Sequence, residues 1–151
     1  MAKTLIRHAV AADFDSLLEI DAASFPGGVA YDAAELAYFM NRKGAETIVA
    51  EEDGRVVAFL ILEVHRTRRS ATIVTLDVRE SRRRAGYGTQ LLKRSEEMLV
   101  DYGAELYDLQ VDVTNRNAIN FYRKHGFRIV RTLPKYYANG HDAFLMVKQL
   151  S

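Results

Sequence analysis

The stretch Ala71-Thr72-Ile73-Val74-Thr75-Leu76-Asp77-Val78 is rich in β-branched residues and runs directly into Arg79-Glu80-Ser81-Arg82-Arg83-Arg84-Ala85-Gly86-Tyr87-Gly88-Thr89. Its first part reads as a strand. From Gly86 to Tyr102 the pattern becomes helical. Leu91, Leu92, Ser95, Met98, Leu99 and Tyr102 share one face, and Lys93, Arg94, Glu96, Glu97 and Asp101 the other. Gly103 then ends the helix as a residue just past the C-cap does. A strand, a glycine-bearing loop and a helix in direct succession leave unpaired N–H groups at the positive end of the helix dipole, an arrangement that binds phosphate.

Working outward, Leu5–His8 reads as a short strand, and Asp13 as the N-cap of a helix carrying Phe14, Leu17, Leu18 and Ile20. Phe25-Pro26-Gly27-Gly28 breaks that helix, and Tyr31–Met40 forms a second one with Leu36, Phe39 and Met40 inward. Thr47–Glu51 and Arg55–His65 are strands that bracket Glu52-Asp53-Gly54, a hairpin turn. The basic turn Arg66–Ser70 leads into the opening strand, so three successive strands imply an antiparallel sheet. Beyond Gly103, Leu106–Val113 alternates as a strand, and a short helix spans about Asn117–His125 before Gly126. Phe127–Leu133 and Ala143–Lys148 complete the pattern. The order β-α-α-β-β-β-α-β-α-β-β is that of an α+β (mixed α/β) protein, read as a single domain over residues 1–151.

Composition narrows the class. A chain of 151 residues with 48% hydrophobic residues supports a real core, which excludes disordered and low-complexity readings. The absence of cysteine excludes disulfide frameworks, thiolate catalysis and cysteine zinc sites. His8, His65, His125 and His141 are too scattered for a metal site and read as surface or loop residues, so no metal is expected. Without an apolar run of signal-peptide or membrane-spanning length, a soluble cytoplasmic protein with no membrane partner is the expectation. Lys+Arg 21 against Asp+Glu 20 gives a net charge of +1. Locally the balance is uneven: Arg66, Arg68, Arg69, Arg79, Arg82, Arg83 and Arg84 face only Asp77 and Glu80. That cluster suggests an anionic ligand. The alternative is a tight turn with a solvated basic face, and a nucleic-acid role is disfavoured because no basic helix or stacking ladder accompanies it.

Arg83-Arg84-Ala85-Gly86-Tyr87-Gly88, followed by Leu91-Leu92, resembles the R/Q-x-x-G-x-G/A loop of the GCN5-related N-acetyltransferases. Asn115-Arg116-Asn117-Ala118-Ile119-Asn120-Phe121-Tyr122-Arg123-Lys124-His125-Gly126-Phe127 resembles that family's N-x-x-A-x-x-F/L-Y-x-x-x-G-F block. Pro134-Lys135-Tyr136-Tyr137, with Gly140-His141-Asp142-Ala143 and Met146, is similar to the tail of its protein N-terminal acetyltransferases. That group includes the bacterial enzymes for ribosomal protein S18 and the archaeal and eukaryotic N-α-acetyltransferases. The resemblance spans essentially Leu5–Lys148 and implies a twisted, mostly antiparallel sheet of about seven strands flanked by about four helices.

The resemblance further implies acetyl-CoA as cosubstrate. Its pyrophosphate would lie on Arg83, Arg84, Ala85, Gly86, Tyr87, Gly88 and Thr89, and its pantetheine arm and acetyl carbonyl along the backbone of Leu76, Asp77 and Val78. Asn115 would contact the pantetheine side, a role compatible with helix capping. Tyr122 would protonate the departing thiolate, although the same tyrosine could simply pack its helix onto the sheet. Phe25, Tyr136 and Tyr137 would line the acceptor, implied to be a peptide or protein N-terminal α-amine, although one of the two adjacent tyrosines could instead pack into the core while the other stays exposed.

The general base departs from the family pattern. Related bacterial enzymes have L-E-V where this chain has Leu109-Gln110-Val111, and glutamine cannot take up a proton to become a neutral acid. Asp112, Asp108 and Glu35 remain as candidates. An α-amine, with an ordinary pKa of about 7.7–8.0, needs less help than a lysine amine near about 10.4. Two other readings stay open: acetylation of a small amine such as a polyamine, amino acid or antibiotic, and an acyl-CoA-binding protein that has lost catalysis.

Overall fold

In a computed structural model, which describes residues 2–25 and 30–150, seven strands form one sheet in the order β1-β2-β3-β4-β5-β7-β6. The elements are β1 (Thr4–His8), α1 (Phe14–Ser24), α2 (Ala33–Asn41), β2 (Ala45–Glu52), β3 (Arg55–His65), β4 (Ser70–Val78), α3 (Tyr87–Asp101), β5 (Leu106–Asp112), α4 (Arg116–Lys124), β6 (Arg128–Leu133) and β7 (Ala143–Gln149). Every neighbouring pair is antiparallel except β4–β5, which is parallel. The expected class and element order are therefore observed.

β3 is buried on both faces and divides the core in two. Leu60, Leu62 and Val64 pack with Leu91, Leu92 and Leu99 of α3 and with Ile119 and Tyr122 of α4. Val56, Phe59 and Ile61 pack on the other face against Leu17 and Ile20 of α1 and Leu36 of α2. The β2–β3 hairpin turns on Asp53 and Gly54, both at positive φ (51° and 82°), as the mirror-image two-residue turn requires.

Some local expectations are corrected. Asp13 does not cap α1: its carboxylate takes the Val10 N–H (2.8 Å) and the Arg7 guanidinium (2.8 and 3.0 Å), because Ala11–Asp13 forms a 3₁₀ turn first. The second helix starts at Ala33 rather than Tyr31. Asp32 accepts from the Glu35 N–H (2.8 Å) and Glu35 accepts from the Asp32 N–H (3.1 Å), a capping box. Glu35 is thereby committed to capping α2. The arginine cluster also divides. Arg66, Arg68 and Arg69 lie before β4 and Arg79–Arg84 after it, and nine residues at about 3.3 Å each place the two groups at opposite ends of the strand.

Candidate active site

The parallel pairing of β4 with β5 stops early. Ser70–Ile73 pair with Leu106–Leu109, and beyond Ile73 and Leu109 the strands part, although β4 continues to Val78 and β5 to Asp112. At the same point the β3–β4 register slips: Leu62 pairs with Ile73 and Ile61 with Thr75, leaving Val74 as an extra residue. Such a bulge bends and twists its strand, and here it coincides with the parting. On the β5 side, alternate backbone groups of Val74–Val78 face a gap rather than a strand.

The bulge also exchanges the faces of β4. Ala71 and Ile73 belong to the α3–α4 core, but after Val74 it is Leu76 and Val78 that pack there. Asp77, paired with Phe59 of the opposite core, is turned towards α1.

Beyond β4, Glu80–Arg82 makes a 3₁₀ turn, Arg84 and Gly86 take positive φ (67° and 88°), and α3 begins at Tyr87 with no side-chain cap. The Gln90 N–H bonds the Gly86 carbonyl (3.0 Å), so the amides of Tyr87, Gly88 and Thr89 precede the helical ladder and are free for an anion. A Cβ on Gly86 would meet no atom nearer than 3.9 Å, so the left-handed backbone, rather than space, calls for glycine. At Gly88 a Cβ would approach the Phe121 ring and Val78 at 3.4 and 3.8 Å, which is ordinary contact.

Not every side chain of this loop faces outward. Tyr87 is buried and its hydroxyl donates to Glu52 (2.5 Å), whose other oxygen takes Arg82 (2.8 Å). These two bonds hold the Glu52 carboxyl below its ordinary pKa. Tyr87 can therefore serve a ligand only through its amide. Arg83 bonds the Val78 carbonyl (3.3 Å), Thr89 contacts His125 (3.1 Å), and Arg84 has no side-chain partner among the described residues. Ala85, between Arg84 and Gly86, is exposed.

The gap between β4 and β5 opens into a cavity of about 470 Å³. Leu76, Gln110, Asn115, Tyr122, Tyr137 and Phe25 line it, so donor-side and acceptor-side candidates meet there. Asn115 caps α4 by accepting from the Ala118 N–H (3.2 Å), which leaves its amide NH₂ for a ligand. Tyr122 is 7% exposed and packs edge-on against Phe121 and Phe127. Burial first, and then the charges of Asp77 and Tyr137, raise its pKa, so the phenol stays protonated.

The structure separates the two tyrosines and brings one further residue to the acceptor side. Tyr136 is 50% exposed and outside the cavity lining, stacked edge-on at 5.0 Å against Tyr137, which does line it. His141, read as a surface or loop residue, is indeed exposed in the loop between β6 and β7, and it also joins the lining: its Nδ1 contacts the Asp112 carboxylate (2.8 Å). Asp112 also accepts from the Thr114 N–H and hydroxyl (2.9 and 2.8 Å). Burial opposes its ionisation, but these three bonds outweigh burial and hold its pKa below the ordinary value. A carboxylate so engaged is a poor base. Asp108 accepts from Thr72 (2.6 Å), and neither it nor Glu35 lines the cavity. Pro26 lies outside the described residues.

Asp21 and Tyr31, which sequence reading did not single out as site residues, also line the cavity. Asp21 sits in α1, whose sequence signal is its apolar face, and Tyr31 lies just ahead of α2. Among the described residues no group of His, Asp and Glu is placed to hold a metal, and no helix is long and apolar enough to cross a membrane.

Comparison with known proteins agrees with this architecture. Residues 14–127 match the model of the Acetyltransferase (GNAT) family. An N-alpha-acetyltransferase of Sulfurisphaera tokodaii is 34% identical over 96% of this chain and 92% of its own. The structure of Ard1 from Thermoplasma volcanium superposes with a TM-score of 0.88 at 27% identity, covering 97% of both chains. The ribosomal-protein-S18-alanine N-acetyltransferase of Escherichia coli shares the fold, with a TM-score of 0.86 at 22% identity over 99% of this chain and 95% of its own. A parted parallel strand pair beside an uncapped helix N-terminus, and a family match over most of its length, lead to one assignment: the chain belongs to the GNAT acetyltransferase family.

Proposed function

We propose that this enzyme transfers the acetyl group of acetyl-CoA to the α-amine of a protein or peptide N-terminus by direct attack. The observation that carries the reading is the gap between β4 and β5. It has an anion-binding helix end at one side and a cavity with Phe25, Tyr31 and Tyr137 at the other. The donor set suits an acyl-CoA. Free amides at Tyr87, Gly88 and Thr89, with Arg83, Arg84 and the backbone of Ala85 and Gly86, serve the pyrophosphate. The open backbone edge of Leu76, Asp77 and Val78 serves the amides of the pantetheine arm, with Asn115 across the gap. Fixed N–H donors on that edge act where charge develops on the thioester carbonyl.

Tyr122 donates its proton to the departing thiolate. A phenol whose pKa is raised by burial is a weak acid toward a thiol, so its contribution rests on position within the cavity. Phe25 and Tyr137 flank the acceptor, with Tyr136 supporting Tyr137 from outside. The α-amine assignment is supported by full-length relatives named N-alpha-acetyltransferase and by the lower basicity of an α-amine in a site where Gln110 replaces a carboxylate.

The test is thiol release from acetyl-CoA with three acceptor sets: peptides with free N-termini, N-terminally blocked lysine peptides, and polyamines. Mass spectrometry then locates the acetyl group. Turnover on the free N-termini alone is expected. Turnover confined to polyamines would replace the substrate class, and acetyl-CoA binding without turnover on any set would favour the non-catalytic reading.

A further inference from the structure

Asp21 and Asp77 are 0% and 2% exposed, yet Asp21 Oδ1 and Asp77 Oδ2 have no hydrogen-bond donor. The remaining oxygens are satisfied: Asp21 Oδ2 accepts from the Tyr31 N–H (2.8 Å) and Asp77 Oδ1 from the Thr75 hydroxyl (3.0 Å). Asp77 faces the α1 side of the sheet, where Asp21 is buried, and Asp21 is the carboxyl that acts on it most strongly. Two neighbouring buried carboxylates whose free oxygens have no donor are untenable, and a single shared proton resolves the arrangement. Burial first, and then the contact with Asp21, raise the pKa of Asp77 well above the ordinary carboxyl value.

The position of the pair suits chemistry. Asp77 immediately follows Leu76 on the open edge of β4, and the Val74 bulge turns its side chain to the α1 face, where Asp21 forms part of the cavity wall. The titratable and charged groups around it come from several elements: Asp21 from α1, Tyr31 ahead of α2, Arg83 from the loop before α3, and Tyr122 from α4. Its charge is felt by both Tyr31, on the acceptor side, and Tyr122, beside the gap. We propose that the acceptor's ammonium group meets the pair at Asp21, which lines the cavity with Asp77 buried behind it, displaces their shared proton, and then gives one proton to the pair to leave the neutral amine.

This inference rests on the acetyltransferase reading and supplies the base that Gln110 cannot. The proton balance closes. The displaced shared proton goes to solvent as the ammonium enters, and the ammonium returns one proton to the pair. The neutral amine then forms the C–N bond as the C–S bond breaks. The thiolate takes a proton from Tyr122, and the nitrogen's surplus proton restores the phenol through water. A pair with high affinity for one proton suits this exchange, because it holds that proton while the amine attacks.

The test compares Asp21→Asn and Asp77→Asn with the wild type. The probes are acetyl-CoA and short peptides with a free alanine, serine or methionine N-terminus. An amide matches a carboxyl in size and donates to its partner, so both variants are expected to fold. At pH 7 each should lose at least about 100-fold in kcat/KM, the usual scale for a general base. The deficit should shrink at pH 9.5, where solution supplies neutral amine. Full activity at pH 7, or an equal loss at both pH values, would overturn the proposal. So would a pH-dependent loss seen only in His141→Gln, which would move the role to the His141–Asp112 pair.

A second readout is independent of activity. Asp77→Asn should melt above the wild type at pH 8 and level with it near pH 3.5, because only the wild type must retain a shared proton. If the wild type acetylated no amine, the functional reading would fall and the base role with it. The melting difference would still report the shared proton.

Discussion

The two sides of the β4–β5 gap are built on different principles. The donor side is made of backbone: the edge of β4 and the first amides of α3, continuous over Leu76–Thr89. The acceptor side is made of side chains brought from α1, the segment before α2, and the loop between β6 and β7. A backbone site is specified by a run of residues whose conformations are locally determined. A side-chain site depends on which face each residue presents, and one bulge can reverse that.

The sharpest way to break the donor side is at the residue that bridges both. Tyr122→Phe removes only a hydroxyl from a packed ring, so acetyl-CoA affinity should hold while kcat falls by about 100-fold or more. Calorimetry and steady-state rates at saturating peptide separate the two, and an unchanged kcat at a pH where transfer limits the rate would remove Tyr122 from the chemistry. Gly86→Val attacks the backbone itself. Forcing a β-branched residue to φ near +88° costs about 1–3 kcal/mol. If the loop relaxes to avoid that strain, acetyl-CoA dissociation should rise by about 10–100-fold with little effect on kcat. Undiminished binding would show that the amides of Tyr87–Thr89 are not the anion site.

On the acceptor side, the tyrosine pair should divide. Tyr137→Ala removes a cavity wall and should raise the peptide KM by about tenfold, on the scale of burying one aromatic face. Tyr136→Ala removes an exposed ring and should change it by less than about threefold. Equal effects would return Tyr136 to direct contact with substrate. Neither variant should alter acetyl-CoA affinity, whereas Gly86→Val should.

This contrast also explains what could be read from sequence. The periodicity of Leu91, Leu92, Ser95 and Leu99, the stop at Gly103 and the Asp53-Gly54 turn are local signals, and the structure follows them. The Gly86–Thr89 helix start was legible for the same reason. The Val74 bulge was not. Ala71–Val78 reads as an unbroken strand with odd positions on one face, and only the β3–β4 register reveals that Asp77 has changed sides. Asp21 was hidden in a helix whose apolar spacing explains its neighbours, and His141 in a loop whose cavity-side partner, Asp112, lies 29 residues away in sequence. Charge counts were equally blind to direction, since β4 carries the two arginine groups apart.

A final, smaller effect sharpens the acceptor side against itself, because its two best-defined carboxyls respond to pH with opposite signs. Asp112 has a lowered pKa in the folded chain, so its bonds to Thr114 and His141 stabilise the fold above the unfolded carboxyl value and are lost as pH falls through the folded one. Asp112→Asn should therefore destabilise by about 1 kcal/mol or less at neutral pH, the scale of a partly exposed charge-assisted bond. The difference should vanish below about pH 3. Asp77 has a raised folded pKa, so the wild type is penalised progressively as pH climbs from the unfolded value of 3.8 towards the folded one. Melting curves of the two Asn variants across pH 3–8 should thus diverge from a common origin, Asp112→Asn falling below the wild type and Asp77→Asn rising above it. Parallel curves would mean that the two carboxyls titrate alike in the folded chain, and the division between a spent carboxylate at Asp112 and a reactive pair at Asp21 and Asp77 would collapse.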